Sequence, residues 1–491
     1  MKRQDDEHEV VVLGSGLGGL VAAALLSYHN REVLLLREKP FHSSCIKEGY
    51  RFIPFSNFSE KRLGSTVLQK LSQALNLSLP IHDQEDTRES KTKPGKPKEK
   101  VAFQVILPKA RIDLYCHRSM LQTEWGREFP KEMVRIENFY KDMDRIQSLL
   151  KKKKSEDSWS VFPLRSPCWI RRYLPFKSLP KETLDEKLSS FSKEFRRFIQ
   201  LQLISRGNLY SDRFPISLAT YLLLGGETEK WVSEIDAERI GKAILEKFFH
   251  SGGKVVEIEG LENVEIGWWR RNFTLTLKGE KKTIRSKFLI LNSPLHQLSP
   301  FLGKKKKLLS KWGERIQPRY ALLPIFFGID EKVIPVGMKD LLVSVLDIEK
   351  DYEGGNLLFL SLSQKGDEGK APQGKRALIV ESLIPVSHWD QSSLEGHLKG
   401  VMRHLRHLFP FLEEFTEFTD SSWVSGQFSC WSYPHFLYET GRDIHWGEEI
   451  VPARISKNLY FNGKENFPYL GLEGEMIGGW RVAKEILQEY D

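Results

Sequence analysis

Apolar residues fall in short runs near the start of the chain, and their spacing predicts a definite order of elements. EVVVL from Glu9 to Leu13 is followed at once by GSGLGG and then by LVAAALL, a small-residue pattern with helical spacing. A second apolar run, EVLLL from Glu32 to Leu36, closes the unit. The order is strand, glycine turn, helix, strand, and Gly14, Gly16 and Gly19 fill a GxGxxG pattern in the context that gives it meaning.

Such a turn predicts a dinucleotide site. Gly14 permits a tight turn, Gly16 lets the backbone approach a pyrophosphate, and Gly19 lets the helix pack closely on its strand. Leu17 and Gly18 complete the helix N-terminus, whose positive end faces the negative charge. An acid after the second strand would accept hydrogen bonds from the adenosine ribose, and LLLREK offers both Arg37 and Glu38 there. Glu38 in that place fits FAD or NAD, whereas Arg37 fits a 2'-phosphate, so FAD is expected with NADP(H) as the alternative.

The same reading applies further along. In EIDAERIGKAILEKFFHSGGKVVEI, Ile240, Ile244, Leu245 and Phe248 share one helical face, Gly252 and Gly253 end the helix, and a strand follows. Close to the C-terminus, NLYF reads as a short strand, Gly463 opens a turn, and GEMIGGWRVAKEIL has helical spacing from about Gly474, with Ile477, Val482, Ile486 and Leu487 apolar. This second strand-to-helix turn, with Gly471 and Leu472 at its start, suits the ribityl-pyrophosphate portion or the pyrimidine oxygen of a flavin.

With 491 residues and 40% hydrophobic content the chain can bury two domains. The net charge of +9 is concentrated in KTKPGKPKEK from Lys91 and in KKKK runs from Lys151 and Lys304. Such runs read as solvated connections or as contacts with anionic membrane; no recognition motif accompanies them, so no nucleic-acid partner is expected. MKRQDDEHE lacks the apolar core of a secretory signal, and no run approaches the roughly 20 apolar residues of a membrane span. A cytoplasmic protein, peripheral on the inner membrane face at most, is the expectation. Cys45, Cys116, Cys168 and Cys430 stand singly and far apart, which predicts reduced thiols and no metal site.

Taken together, these motifs resemble the flavin-dependent amine oxidase and phytoene desaturase superfamily, most closely its branch of carotenoid desaturases, carotenoid isomerases and retinol saturases. The resemblance runs from VVVLGSGLGGLVAA through GYRFIPFSNF and the segment FQVILPKARIDLYCHRSMLQTEWGREFPKEMVRIENFYKDM to the C-terminal pattern of Gly463, Pro468, Gly471, Gly474 and Gly479. It implies a backbone contact from Val256 to adenine and cofactor contacts from Gly463, Gly471, Leu472 and Gly474. It also implies an α/β fold: a Rossmann-type, GR2-like FAD-binding domain made of separated segments (1–80, 225–303 and 425–491) with an inserted α+β substrate domain (81–224 and 304–424). The chain departs from the family after the second strand, where PFHSSC replaces a glycine pair and arginine, in GYRFIPFSNF, and at Lys464, where many relatives carry aspartate. These departures concern the isoalloxazine contacts more than the ADP contacts.

The resemblance implies an FAD-dependent oxidoreductase acting on an apolar small molecule of isoprenoid or carotenoid type, by desaturation, saturation or isomerisation. Aromatics of the insert, Trp159, Phe162, Trp169, Tyr173 and Phe176, would form core or line an apolar tunnel. The alternative is a non-catalytic protein that binds a lipid or prenylated partner, as the similar Rab GDP-dissociation inhibitors do. No catalytic acid or base is assigned: His42 reads as a surface histidine and Glu473 as a helix-start glutamate.

Overall fold

The computed structural model describes residues 5–38, 45–53, 65–78, 101–115, 118–154, 180, 182–211, 214–224, 237–267, 272–279, 283–298, 311–425, 435–440, 444 and 448–490. The lysine runs at 91–100 and 304–307, His42, and the aromatics between 159 and 176 lie outside them.

Along the chain, β1 (Asp5–Leu13), α1 (Leu17–Tyr28) and β2 (Val33–Glu38) are followed by a small hairpin, β3 (Cys45–Lys47) and β4 (Tyr50–Phe52), and by α2 (Ser65–Leu75). A second hairpin, β5 (Val101–Leu107) and β6 (Ala110–Tyr115), leads into α3 (Arg118–Glu128), α4 (Met133–Lys154), α5 (Leu184–Leu188), α6 (Lys193–Ile204) and α7 (Ile216–Leu224). Next come α8 (Ala237–His250), β7 (Lys254–Ile258), β8 (Leu261–Ile266), β9 (Phe273–Leu277), β10 (Thr283–Leu291) and α9 (Leu295–Leu298). The remainder runs β11 (Ile316–Asp330), β12 (Leu341–Val345), β13 (Leu357–Leu362), β14 (Lys375–Pro385), α10 (Gln391–Leu408), β15 (Thr416–Asp420), β16 (His435–Thr440), β17 (Arg454–Ser456), β18 (Leu459–Phe461) and α11 (Leu472–Gln488).

Two sheets carry the fold. The first has the order β17-β18-β10-β1-β2-β7, and β18, β10, β1, β2 and β7 are mutually parallel, so their C-terminal ends share one edge. The central stretches of β1 and β2 are apolar because both faces are covered there: Val10, Val12 and Leu35 pack with α1 and α8, while Val11, Leu34 and Leu36 enter the larger core. The second sheet, β15-β11-β14-β13-β12-β5-β6 with β16 also on β11, is antiparallel except for β12 beside β5. The parallel sheet therefore draws on three separated stretches of chain, and the insert builds a sheet of its own. β16, although late in the sequence, belongs to the insert's sheet.

Helix α1 is buried from Leu17 to Ser27, which its glycine and alanine content allows. A Cβ on Gly479 of α11 would land on the carbonyl oxygen of Gly18, so these two helices touch through bare backbone. One sequence expectation is corrected here. Cys45 is disulfide-bonded rather than a reduced packing thiol, and the other three cysteines lie outside the described residues. Among the described residues, no helix is long and apolar enough to cross a membrane, and no group of histidine, cysteine and acidic residues could hold a metal ion.

Candidate cofactor site

Both glycine turns sit at the C-terminal edge of the parallel sheet, stitched there by two asparagines. Asn292, just after β10, donates its N–H to the Leu13 carbonyl at 2.7 Å, and Asn462, just after β18, donates its own to the Leu291 carbonyl at 2.9 Å. The Asn292 side-chain amide nitrogen also donates to the Asn462 carbonyl. The ends of β1, β10 and β18 are thereby held side by side.

Gly14 turns the chain with φ +100°, and a Cβ there would fall on the Asn292 carbonyl, so both torsion and space demand glycine. Gly16 caps α1, and Leu17, Gly18 and Gly19 form its first turn. No side chain caps this helix and no acid lies in that turn, which leaves its N–H groups and positive dipole end for an external anion. A Cβ on Gly16 would come within 2.8 Å of Asn292 Oδ1, and one on Gly19 within 2.6 Å of the same atom. Gly18 faces Asn462 Nδ2, at 2.5 Å from its would-be Cβ, and serves the contact with the C-terminal turn.

Arg37 and Glu38 are the last two residues of β2, and Val256 stands opposite Leu36 in β7. Arg37 Nη2 donates to Glu257 Oε1 in an ion pair between neighbouring strands. That pairing offsets the charge a 2'-phosphate would need and leaves Glu38 as the candidate ribose acceptor. Replacing Glu38 with alanine should therefore weaken FAD by about 1–3 kcal/mol, the scale of a charge-assisted hydrogen bond, while Arg37→Ala should change it little. Titration of both variants with FAD and NADP(H) tests this; FAD affinity indifferent to Glu38→Ala would reverse the assignment.

At the other turn, Gly463 donates its N–H to Asn466 Oδ1 at 2.7 Å, and a Cβ on it would lie 2.6 Å from Glu465 Oε2. Gly471 has φ 56° and ψ −131°, caps α11, and hands over to Leu472; Gly474 faces the Phe467 carbonyl, 2.5 Å from its would-be Cβ. Unlike α1, this helix brings its own acids, Glu473 and Glu475, into its first turn, and the Tyr221 hydroxyl donates to Glu473 Oε1 at 3.0 Å. The N-terminus of α1 therefore suits an anionic group, and that of α11 an uncharged polar one.

Sequence reasoning missed Asn292, Asn462, Glu465 and Glu475. Glu465 is 2% exposed; its Oε1 accepts from the Leu295 N–H at 2.9 Å and the Tyr438 hydroxyl at 3.1 Å, and burial raises its pKa. The acid looked for directly after Gly463 stands one residue later, and that one-residue displacement was its only signal. Asn292 Oδ1, both side-chain polar atoms of Asn462, Glu465 Oε2 and Glu475 Oε1 are buried without a protein partner. Leaving such atoms unsatisfied costs about 1–3 kcal/mol each, so a ligand rich in hydroxyl and amide groups fits between the turns. FAD fits that description: its diphosphate suits the uncapped helix, and its polyol and ring offer groups that match the orphaned atoms.

Solved structures share this architecture. An oxidoreductase from Methanosarcina mazei superposes with a TM-score of 0.62 at 15% identity, covering 97% of this chain and 100% of its own. Putrescine oxidase gives 0.59 at 14% identity, covering 99% and 100%, and cyclohexylamine oxidase from Brevibacterium oxydans gives 0.57 at 15% identity, covering 98% and 99%. At these identities the likeness shows the fold. No curated protein matches the chain in sequence. The family model for flavin containing amine oxidoreductases matches residues 237–487, just over half of the chain, and the chain accordingly belongs to that family, as an FAD-dependent oxidoreductase.

Proposed function

We propose that the enzyme moves hydrogen between its flavin and an apolar, isoprenoid- or carotenoid-like small molecule, in a desaturation, saturation or isomerisation. The observation that carries this reading is α7. Its sequence ISLATYLLL is buried except at Tyr221, and Tyr221 reaches Glu473 in the first turn of α11. The insert thus lays an apolar helix against the turn that suits the ring end of a flavin. When bound, FAD supplies a two-electron carrier; the protein's part is to orient the substrate and exclude water. Leu218, Leu222 and Leu224, each at most 1% exposed, are suited to the second task.

A primary amine is the second reading, favoured by the family itself and by the putrescine and cyclohexylamine oxidases that share the fold. Purified protein is expected to show the flavin absorption bands and to release FAD on denaturation. Anaerobic mixing with isoprenoid polyenes and, separately, with primary amines then distinguishes the readings by which class changes the flavin spectrum. Bleaching by amines alone would overturn the apolar assignment. Retention of a lipid without any flavin response would favour the binding-protein alternative, and colourless protein that takes up no FAD would overturn the cofactor.

A further inference from the structure

We infer that Lys464 binds an anionic portion of the bound flavin, and that His435 holds it in position for this. The inference rests on the FAD reading.

Lys464 follows Gly463 in the turn between β18 and α11. Two residues earlier, the Asn462 side chain lies against Gly18, which seats this turn beside the uncapped end of α1. Lys464 Nζ is 3.1 Å from His435 Nδ1, and His435 Nε2 is 2.7 Å from Asn208 Oδ1. An amide oxygen only accepts, so Nε2 carries the ring proton and Nδ1 offers its lone pair to the ammonium. The ring is fixed from behind: Asn208 donates its N–H to the Pro468 carbonyl and accepts from the Tyr438 N–H, both at 2.8 Å. Burial and the Lys464 charge hold His435 well below its ordinary pKa, in the neutral form.

The ammonium therefore leans on a neutral acceptor. Among the described residues its nearest carboxylate oxygen, Glu475 Oε1, stands 4.0 Å away and accepts no hydrogen bond, and Glu465 acts on it only through its charge. Burial raises the Glu475 pKa and the Lys464 charge opposes that rise, so the carboxylate compensates the ammonium only in part. An ammonium has three donors, and His435 uses one of them. A half-buried cation so weakly compensated is an unfavourable arrangement for a protein alone and a favourable one beside an anion. Two parts of the flavin carry such charge, the diphosphate in every redox state and the ring once reduced.

Apoprotein of the wild type, Lys464→Met, Lys464→Arg and Glu475→Gln should be titrated with FAD, and the reconstituted proteins poised with redox dyes. If the anion is the diphosphate, Lys464→Met raises the FAD dissociation constant about tenfold and leaves the midpoint potential unchanged. If it is the reduced ring, affinity for oxidised FAD is unchanged and the midpoint potential falls. In either case Lys464→Arg retains most of the effect and Glu475→Gln shifts the same quantity the opposite way. Identical affinity and potential in wild type and Lys464→Met overturn the inference, as does a loss that Arg fails to rescue and that accompanies a lower melting temperature of the apoprotein. Should Lys464→Met not fold, Lys464→Arg and Glu475→Gln decide the matter. Wild-type protein that takes up no FAD would instead sink the cofactor reading beneath it.

Discussion

Gly16→Val is expected to yield a folded protein that no longer retains FAD, whereas Gly14→Ala should weaken the fold itself. The two glycines are two residues apart, but a side chain on each meets a different obstacle. At Gly16 the added Cβ comes within 2.8 Å of Asn292 Oδ1, the tip of a side chain that can turn away. What valine then occupies is the approach of the diphosphate to the first turn of α1, and a loss of at least about 100-fold in affinity, roughly 3 kcal/mol, should follow. At Gly14 the new Cβ meets the carbonyl oxygen of Asn292, which is locked in the sheet-edge contact with Leu13, and φ is +100°. Torsional strain and overpacking together should cost about 2–5 kcal/mol of stability. Urea unfolding of the apoproteins alongside FAD titration separates the effects. Unchanged FAD occupancy in folded Gly16→Val would count decisively against this placement of the diphosphate.

That contrast also shows what could be read from the chain before its fold was known. Gly14, Gly16 and Gly19 were legible because a backbone that must turn and pack a helix closely on a strand within six residues leaves glycine as the local solution. The strand that carries Val256, and the helix ending at Gly252 with φ +85°, were legible for similar reasons of period and capping. Asn292 and Asn462 were not, because their role comes from meeting each other across 170 residues at adjacent strand ends. Neither sits in a local pattern that names it. α11 begins at Leu472 rather than near Gly474 because Gly471 adopts φ 56° and ψ −131° and can start the helix at once, a backbone state that apolar periodicity does not report. Lys464 was legible as a departure, but the neutral histidine and distant carboxylate that make it informative come from β16 and α11. The disulfide at Cys45 likewise depends on where the β3–β4 hairpin lies rather than on spacing.

Acid should unfold this protein through two histidines that play no part in the cofactor site. His397 and His404 lie seven residues apart on α10 and are 5% and 0% exposed. His404 is held between the Ser344 hydroxyl at Nε2 and the Gly355 carbonyl at Nδ1, 2.8 and 2.9 Å away, so Nδ1 carries the proton and Nε2 accepts. His397 Nε2 meets the Ser382 hydroxyl at 2.7 Å. Desolvation lowers each pKa from 6.5 to about 4, aided at His404 by nearby His407 and Arg403. The unfolded chain therefore takes up these protons below about pH 6.5 while the folded chain resists them until about pH 4, so stability falls as pH drops through that interval and levels off beneath it. The gap corresponds to about 3 kcal/mol for each histidine, a large share of the roughly 5–15 kcal/mol that stabilises a typical domain. Buried Glu465 and Glu475 and half-buried Glu485, whose pKa values are raised, act in the opposite sense, binding protons more readily when folded. A His397→Gln, His404→Gln double variant isolates the contribution of these two, because His435, also held well below its ordinary pKa, is present in both proteins. It should be less stable than wild type at neutral pH, having lost shaped hydrogen bonds, but its urea midpoint should decline far less steeply between about pH 6.5 and about pH 4.5. Parallel declines in the two proteins would show that the acid sensitivity arises elsewhere.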